Sequence, residues 1–114
     1  MQQSRELNIL WTNADPLTAQ HMVMMYATNS KIHHWWDEVT VIIWGAAALT
    51  AAENASVQEH IRVAQNVGVR FSACVACARQ LGVVEALEAL HIEVKPWGEL
   101  LTELIREGKH LLTV

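Results

Sequence analysis

Residues 68–84 of this 114-residue chain decide its fold, and they read Gly68-Val-Arg-Phe-Ser-Ala-Cys74-Val-Ala-Cys77-Ala-Arg-Gln-Leu-Gly82-Val-Val84. Val69 to Ala73 has the composition of a short buried strand, and the residues after it predict a helix that ends at Gly82. Unpaired backbone N–H groups at a helix N-terminus favour a thiolate over a thiol. Cys74 is therefore the strongest candidate nucleophile of the chain.

Strand and helix patterns alternate on both sides of this segment. A first strand is expected at 7–11, and Asp15-Pro16 after it supplies an N-cap and a proline at the first helical position. Further strands are predicted at 39–44, 92–94 and 110–114, with helices between them. This alternation predicts an α/β fold: one domain over residues 1–114, in three α/β/α layers around a mainly parallel five-stranded sheet.

Two helices carry finer predictions. Ser56-x-x-Glu59 matches a capping box and predicts the start of the helix before Gly68. In the first helix, Met24 is expected outside the face that packs on the sheet. The residues expected on that inner face are Ala19, Met22, Val23, Tyr26 and Ala27.

Sites in parallel sheets collect at the carboxyl ends of the strands, so residues that follow different strands are candidates for one pocket. With Cys74 and Cys77 after the third strand, this set contains five more residues. They are Asn13 and Asp15 after the first strand, Trp44 and Gly45 after the second, and Trp97 after the fourth. Each also has an ordinary structural interpretation, as a turn residue, an N-cap or a packing residue.

The order helix, Gly68-Val, strand, Cys74, helix, Gly82-Val resembles that of the DsrE/DsrF-like family of small sulfur-relay proteins. The resemblance implies that Cys74 carries a persulfide. It also implies a sulfur carrier or sulfurtransferase-like protein whose partners are persulfide donor and acceptor proteins or small sulfur species. Element order matches over almost the whole chain, whereas matching residues are dense only between Gly68 and Val84.

Cys77 leaves other functions open. It lies within one helical turn of Cys74, so the pair also fits a Cys-x-x-Cys redox protein, while a buried Cys77 fits a small core residue. A non-catalytic assembly module of the same fold is a further alternative. Structural zinc requires four ligands, and no second Cys-x-x-Cys or His-x-x-x-His pair follows, so we expect neither metal nor cofactor.

Composition restricts the partners. A net charge of −4 argues against direct binding of nucleic acid, and no apolar stretch is long enough to span a membrane. Hydrophobic residues make up 52% of the chain and charged residues 18%, which favours a homo-oligomer, with Trp35 and Trp36 as interface candidates. The polar start, residues 1–6, lacks the pattern of a secretory signal, so we expect a cytoplasmic protein.

Overall fold

The computed structural model describes residues 5–114, whose strands form one parallel sheet in the order β4-β3-β2-β1-β5. Residues 1–4 belong to the polar start in which the sequence shows no secretory-signal pattern, and they lie outside the described residues. The strands are β1 (Glu6–Trp11), β2 (Glu38–Ile43), β3 (Arg70–Cys74), β4 (Glu93–Lys95) and β5 (His110–Thr113). The helices are α1 (Pro16–Thr18), α2 (Met25–Ile32), α3 (Ala47–Glu53), α4 (Ala55–Asn66), α5 (Val75–Leu81), α6 (Val84–Ala89) and α7 (Gly98–Arg106), with a π-helical segment (Ala19–Met24) joining α1 to α2.

All four strand pairs are parallel, which confirms the predicted α/β fold with a five-stranded sheet. Apolar runs such as Val41-Ile42-Ile43 form the central strands because both of their faces are covered there. Each observed strand limit differs from the predicted one by at most one residue. The order of the strands in the sheet could not be predicted from the sequence pattern and is known only from the structure.

One face of the sheet, here named the six-helix face, is covered by the π-helical segment and by α2 to α6. Its strand residues include Ile9, Val41 and Ala73, which are fully buried in the main core. The helices contribute Val23, Ala48, Ile61, Ala78 and Leu87 to the same core. This face holds most of the buried apolar area of the described chain and therefore most of its hydrophobic stabilisation.

The opposite face, here named the α7 face, is only partly covered. Ile42 and Cys74 on this face are buried in a second, smaller cluster. Leu100, Leu101 and Leu104 of α7 pack against that cluster, and each remains half-buried. Helices thus lie on both faces, as predicted for three layers, but very unequally.

The strand order explains this asymmetry. The chain adds β2, β3 and β4 successively on one side of β1, and right-handed crossovers place all the connecting helices on one face. It then returns from β4 to β5 on the far side of β1, so α7 crosses the other face. The connection after β3 and the connection after β4 therefore leave the sheet toward opposite faces.

The π-helical segment overturns one detail of the sequence interpretation. Each π turn accommodates an extra residue, so the inner face shifts relative to a regular α-helix. Met24 is consequently 1% exposed and part of the core, whereas Met22 is 36% exposed. The predicted positions of these two methionines were wrong for this reason.

The predicted capping box at Ser56 was also wrong. Helix α4 begins two residues earlier, and the Asn54 side chain accepts a hydrogen bond from the Val57 backbone N–H at 2.9 Å. Glu59 does not act as a cap, because its carboxylate instead binds Arg62 at 3.0 Å. Asn54 is the observed N-cap, and asparagine is among the preferred residues there.

Replacement of Asn54 tests this assignment. We expect Asn54→Ala to lower the free energy of unfolding by about 1 kcal/mol, because one backbone N–H of α4 loses its acceptor. Ser56→Ala is the matched control, with an expected change of less than about 0.5 kcal/mol at this exposed position. Urea unfolding measures both, and a larger loss for Ser56→Ala would restore the capping box.

Candidate functional site

Cys74 lies at the junction of β3 and α5. It is the last residue of the strand and also the N-cap of the helix, with an extended backbone (φ −71°, ψ 119°). The β-forming residues before it and the alanine-rich residues after it account for the change of structure at this point. The cysteine therefore occupies the strand-to-helix junction that the sequence predicts.

The side chain of Cys74 is enclosed on the α7 face. Ile42, Cys74 and Trp97 are the buried members of the smaller cluster, and Trp44 and Cys77 pack against it. Cys74 is 5% exposed and Trp97 is 7% exposed. The four aromatic and thiol side chains predicted around one pocket, Trp44, Cys74, Cys77 and Trp97, are thus brought together.

Two contacts, one with Ser72 and one with Lys95, hold the Trp97 indole in this cluster. Its N–H donates to Ser72 Oγ at 2.8 Å, and the Ser72 hydroxyl donates to the Glu93 carbonyl oxygen at 3.0 Å. The Lys95 ammonium lies 5.4 Å from the ring centroid on the indole face, which is a cation–π contact. Trp97 is consequently anchored to both β3 and β4.

Cys77 occupies a less enclosed position on α5. It is half-buried and touches both clusters, and its thiol donates a weak hydrogen bond to the Gly45 carbonyl oxygen at 3.5 Å. Gly45 adopts φ +64°, a left-handed conformation that glycine reaches without strain, so the turn after β2 presents this carbonyl. Gly45 thus joins the site through its backbone.

Comparison with known proteins gives two strong similarities. The family model of the DsrE/DsrF-like family matches residues 12–114. The chain belongs to the DsrE/DsrF-like family. It is also 34% identical to a conserved protein of unknown function from Bacteroides thetaiotaomicron, over 96% of this chain and 95% of that chain, with a TM-score of 0.94.

More distant structures share the fold of this DsrE/DsrF-like chain. The ychN protein from E. coli is 14% identical over 96% of this chain and 99% of that chain, with a TM-score of 0.67. A protein of unknown function from Methanobacterium thermoautotrophicum is also 14% identical, over 96% and 98%, with the same TM-score. No curated protein matches the chain. Family membership associates the chain with sulfur relay.

Asn13 and Asp15 lie at the same sheet edge but have local structural tasks. The Asn13 side chain accepts from the Asp15 backbone N–H at 2.7 Å, and its carbonyl accepts from the Trp11 indole at 2.9 Å. Asp15 caps α1 through Thr18, and these hydrogen bonds lower the pKa of the Asp15 carboxyl below its ordinary value of 3.8. Neither residue belongs to the cysteine cluster.

Ser72 and Lys95 were absent from the sequence-based candidates. Both were recognisable in principle, because alternation along a strand places Ser72 on the same face as Cys74 and the parallel register places Lys95 beside it. That inference required knowing that β4 pairs with β3.

Among residues 5–114, no three His, Cys, Asp or Glu side chains form a group that could hold a metal ion, and no helix is long and apolar enough to cross a bilayer.

The cover over Cys74 can be tested by alkylation in a Cys77→Ala background, where Cys74 is the only thiol. Trp97→Phe removes the hydrogen bond to Ser72, worth about 1 kcal/mol, so we expect iodoacetamide to label Cys74 about fivefold faster. Trp35→Phe, at a 51% exposed position outside the cluster, is the control and should leave the rate unchanged. Equal rates for both variants, with urea curves showing both folded, would contradict the covering role of Trp97.

Proposed function

We propose that this protein is an intracellular sulfur carrier that holds a sulfane sulfur on Cys74 as a persulfide. The observation that supports it best is a cysteine at the carboxyl end of β3, at the start of α5, in a DsrE/DsrF-like fold. Parallel sheets bind their ligands at the carboxyl ends of their strands, and Cys74 is the nucleophile located there. The exchange requires a reduced thiol, which is consistent with the cytoplasm.

Loading is a simple exchange at sulfur. The Cys74 thiolate attacks the terminal sulfur of a donor persulfide R–S–SH, the donor S–S bond breaks, and R–S⁻ leaves as Cys74–S–SH forms. Delivery repeats the exchange, since an acceptor thiolate attacks the terminal sulfur of the Cys74 persulfide and regenerates the Cys74 thiolate. No net oxidation occurs in either step, so no redox cofactor is required.

Exchange requires an opening, because Cys74 is 5% exposed. The cover is thin: α7 contributes no fully buried residue, and β5 beside it is also only half-buried or exposed. Segments with few buried apolar contacts open at a free energy well below that of global unfolding. We therefore propose that a local movement of α7 and Trp97 gives the donor and the acceptor access to Cys74. The return of α7 and Trp97 encloses the persulfide between transfers.

A second candidate function uses Cys77. A Cys77 thiolate attacks the Cys74 sulfur of Cys74–S–SH, forms the Cys74–Cys77 disulfide and releases HS⁻. The contact of Cys77 with the Cys74 cluster supports this dithiol reaction. It differs from the carrier in its product, because sulfur leaves as sulfide and the protein is oxidised.

We also propose that the protein self-associates. Trp35 is 51% exposed and stacks on His33 with ring centroids 5.2 Å apart, while Met25 and Ile32 of α2 are each 50% exposed. Aromatic residues and methionine are enriched in interfaces. Sedimentation equilibrium should give a mass above that of one 12.8 kDa chain, and a monomer at all concentrations would refute this proposal.

Intact mass after incubation with a persulfidated donor protein tests the carrier function. We expect the reduced protein to gain one sulfur atom, because the Cys74 thiolate accepts the donor's terminal sulfur. Cys74→Ala should abolish the gain, and Cys77→Ala is the matched control that should retain it.

Other outcomes of this experiment have distinct meanings. Loss of two hydrogens with release of sulfide, abolished by either substitution, supports the dithiol reaction. A gain of sulfur that persists in Cys74→Ala contradicts the assignment of Cys74. No change with any donor leaves only a non-catalytic assembly module of this fold.

A further inference from the structure

The amino-terminal half of the α7 face forms an open groove of about 680 Å³. Leu100, Leu101 and Leu104 of α7 pack on the Cys74 cluster, and among the described residues none of α7 lines the groove. Its floor is polar and comes from neighbouring strands, with Asn8 on β1, Thr40 on β2 and Arg70 on β3 in one row. A volume of this size lies in the range of small-molecule sites.

Arg70 is the unusual residue of this groove. Its side chain is exposed on a central strand, and among residues 5–114 it has no ion-pair or hydrogen-bond partner. The other two charged side chains on the floor neutralise each other, because Lys95 binds Glu93 at 2.6 Å. The groove therefore has one uncompensated positive charge in a chain whose net charge is −4.

Trp97 connects the groove to the thiol. Its indole lines the groove and also belongs to the buried cluster with Cys74. Arg70 and Cys74 point to the same face of β3, four residues apart, which corresponds to about 13 Å between their Cα atoms. A ligand held at Arg70 and extended toward Trp97 therefore approaches the cysteine.

We propose that this groove binds a carboxylate-bearing low-molecular-weight thiol persulfide, about the length of a tripeptide, as the sulfur donor for Cys74. The inference rests on the proposed carrier function and specifies its substrate class. The Cα atoms of Arg70 and Cys74 are about 13 Å apart and an extended tripeptide spans about 10 Å, so a donor of this size has the length needed to extend from the Arg70 side chain toward the cluster. Guanidinium binds carboxylate in a bidentate geometry, so Arg70 fixes a terminal carboxylate of the donor.

The reaction at the persulfide group of this donor is the same balanced exchange. When Trp97 moves, the Cys74 thiolate attacks the terminal sulfur of R–S–SH, and the low-molecular-weight thiolate R–S⁻ leaves through the groove. The carboxylate of R remains on Arg70 throughout and takes no part in bond making. Arg70 is accordingly a positioning residue whose loss affects donor binding rather than the reactivity of the thiol.

Binding without chemistry gives the first test. Calorimetry measures the affinity of S-methylglutathione, which has the carboxylates and length of the proposed donor but no reactive sulfur. We expect Arg70→Gln to weaken binding about tenfold, because one charge-assisted contact is lost. Arg106→Gln removes the same charge from exposed α7 outside the groove and should bind like the wild type. The S-methylglutathione diethyl ester, which lacks carboxylates, should bind weakly and equally to all three proteins.

Loading kinetics give the second test, with glutathione persulfide and 2-mercaptoethanol persulfide as donors. Arg70→Gln should raise the KM for glutathione persulfide about tenfold at unchanged kcat, and it should leave transfer from 2-mercaptoethanol persulfide unaltered. Equal use of both donors by the wild type, or no effect of Arg70→Gln on either, would overturn the substrate assignment while the carrier function stands.

Two further outcomes separate the proposals. If S-methylglutathione binds through Arg70 but no donor loads Cys74, the carrier function fails and the groove remains a carboxylate site only. If S-methylglutathione does not bind and Arg70→Glu dissociates an oligomer, a second copy of the chain covers this face, and the inference is wrong.

Discussion

A single reversal of winding direction determines how the candidate thiol site of this protein is covered. Three crossovers place their helices on one face of the sheet, and the fourth must return from β4 past β3, β2 and β1 to reach β5. Among the helices of residues 5–114, only α7 covers the other face. This constraint creates the divergence between the ends of β3 and β4, and Cys74 lies at that divergence with Trp97 across from it.

The unequal coverage of the two faces separates stability from function. The six-helix face contains the large core, whereas the α7 face has a small cluster under a helix without fully buried residues. In the proposed carrier function, a local opening of the smaller cluster exposes the thiol while the main core stays folded. In that proposal, enclosure also protects the persulfide from competing thiols.

Local sequence patterns predicted the elements well and their details less well. Apolar runs such as Val41-Ile42-Ile43 predicted strands because burial on both faces leaves little choice of residue. The N-cap of α4 was missed because Ser56-x-x-Glu59 matches the capping-box pattern. The residue that caps the helix is Asn54, two residues earlier. The π-helical segment has no signature in the hydrophobic pattern of the sequence, so Met24 was predicted outside the helix face that packs on the sheet. Ser72 and Lys95 required the strand order, which depends on pairing between residues distant in sequence.

A crystal structure of the protein after loading with a donor persulfide tests the central claim most directly. We predict a second sulfur atom bonded to Cys74 Sγ, with the Trp97 indole displaced from Ser72 and the β-sheet unchanged. An unmodified Cys74, or a sulfane sulfur on Cys77 instead, would contradict the assignment of Cys74 as the carrier thiol.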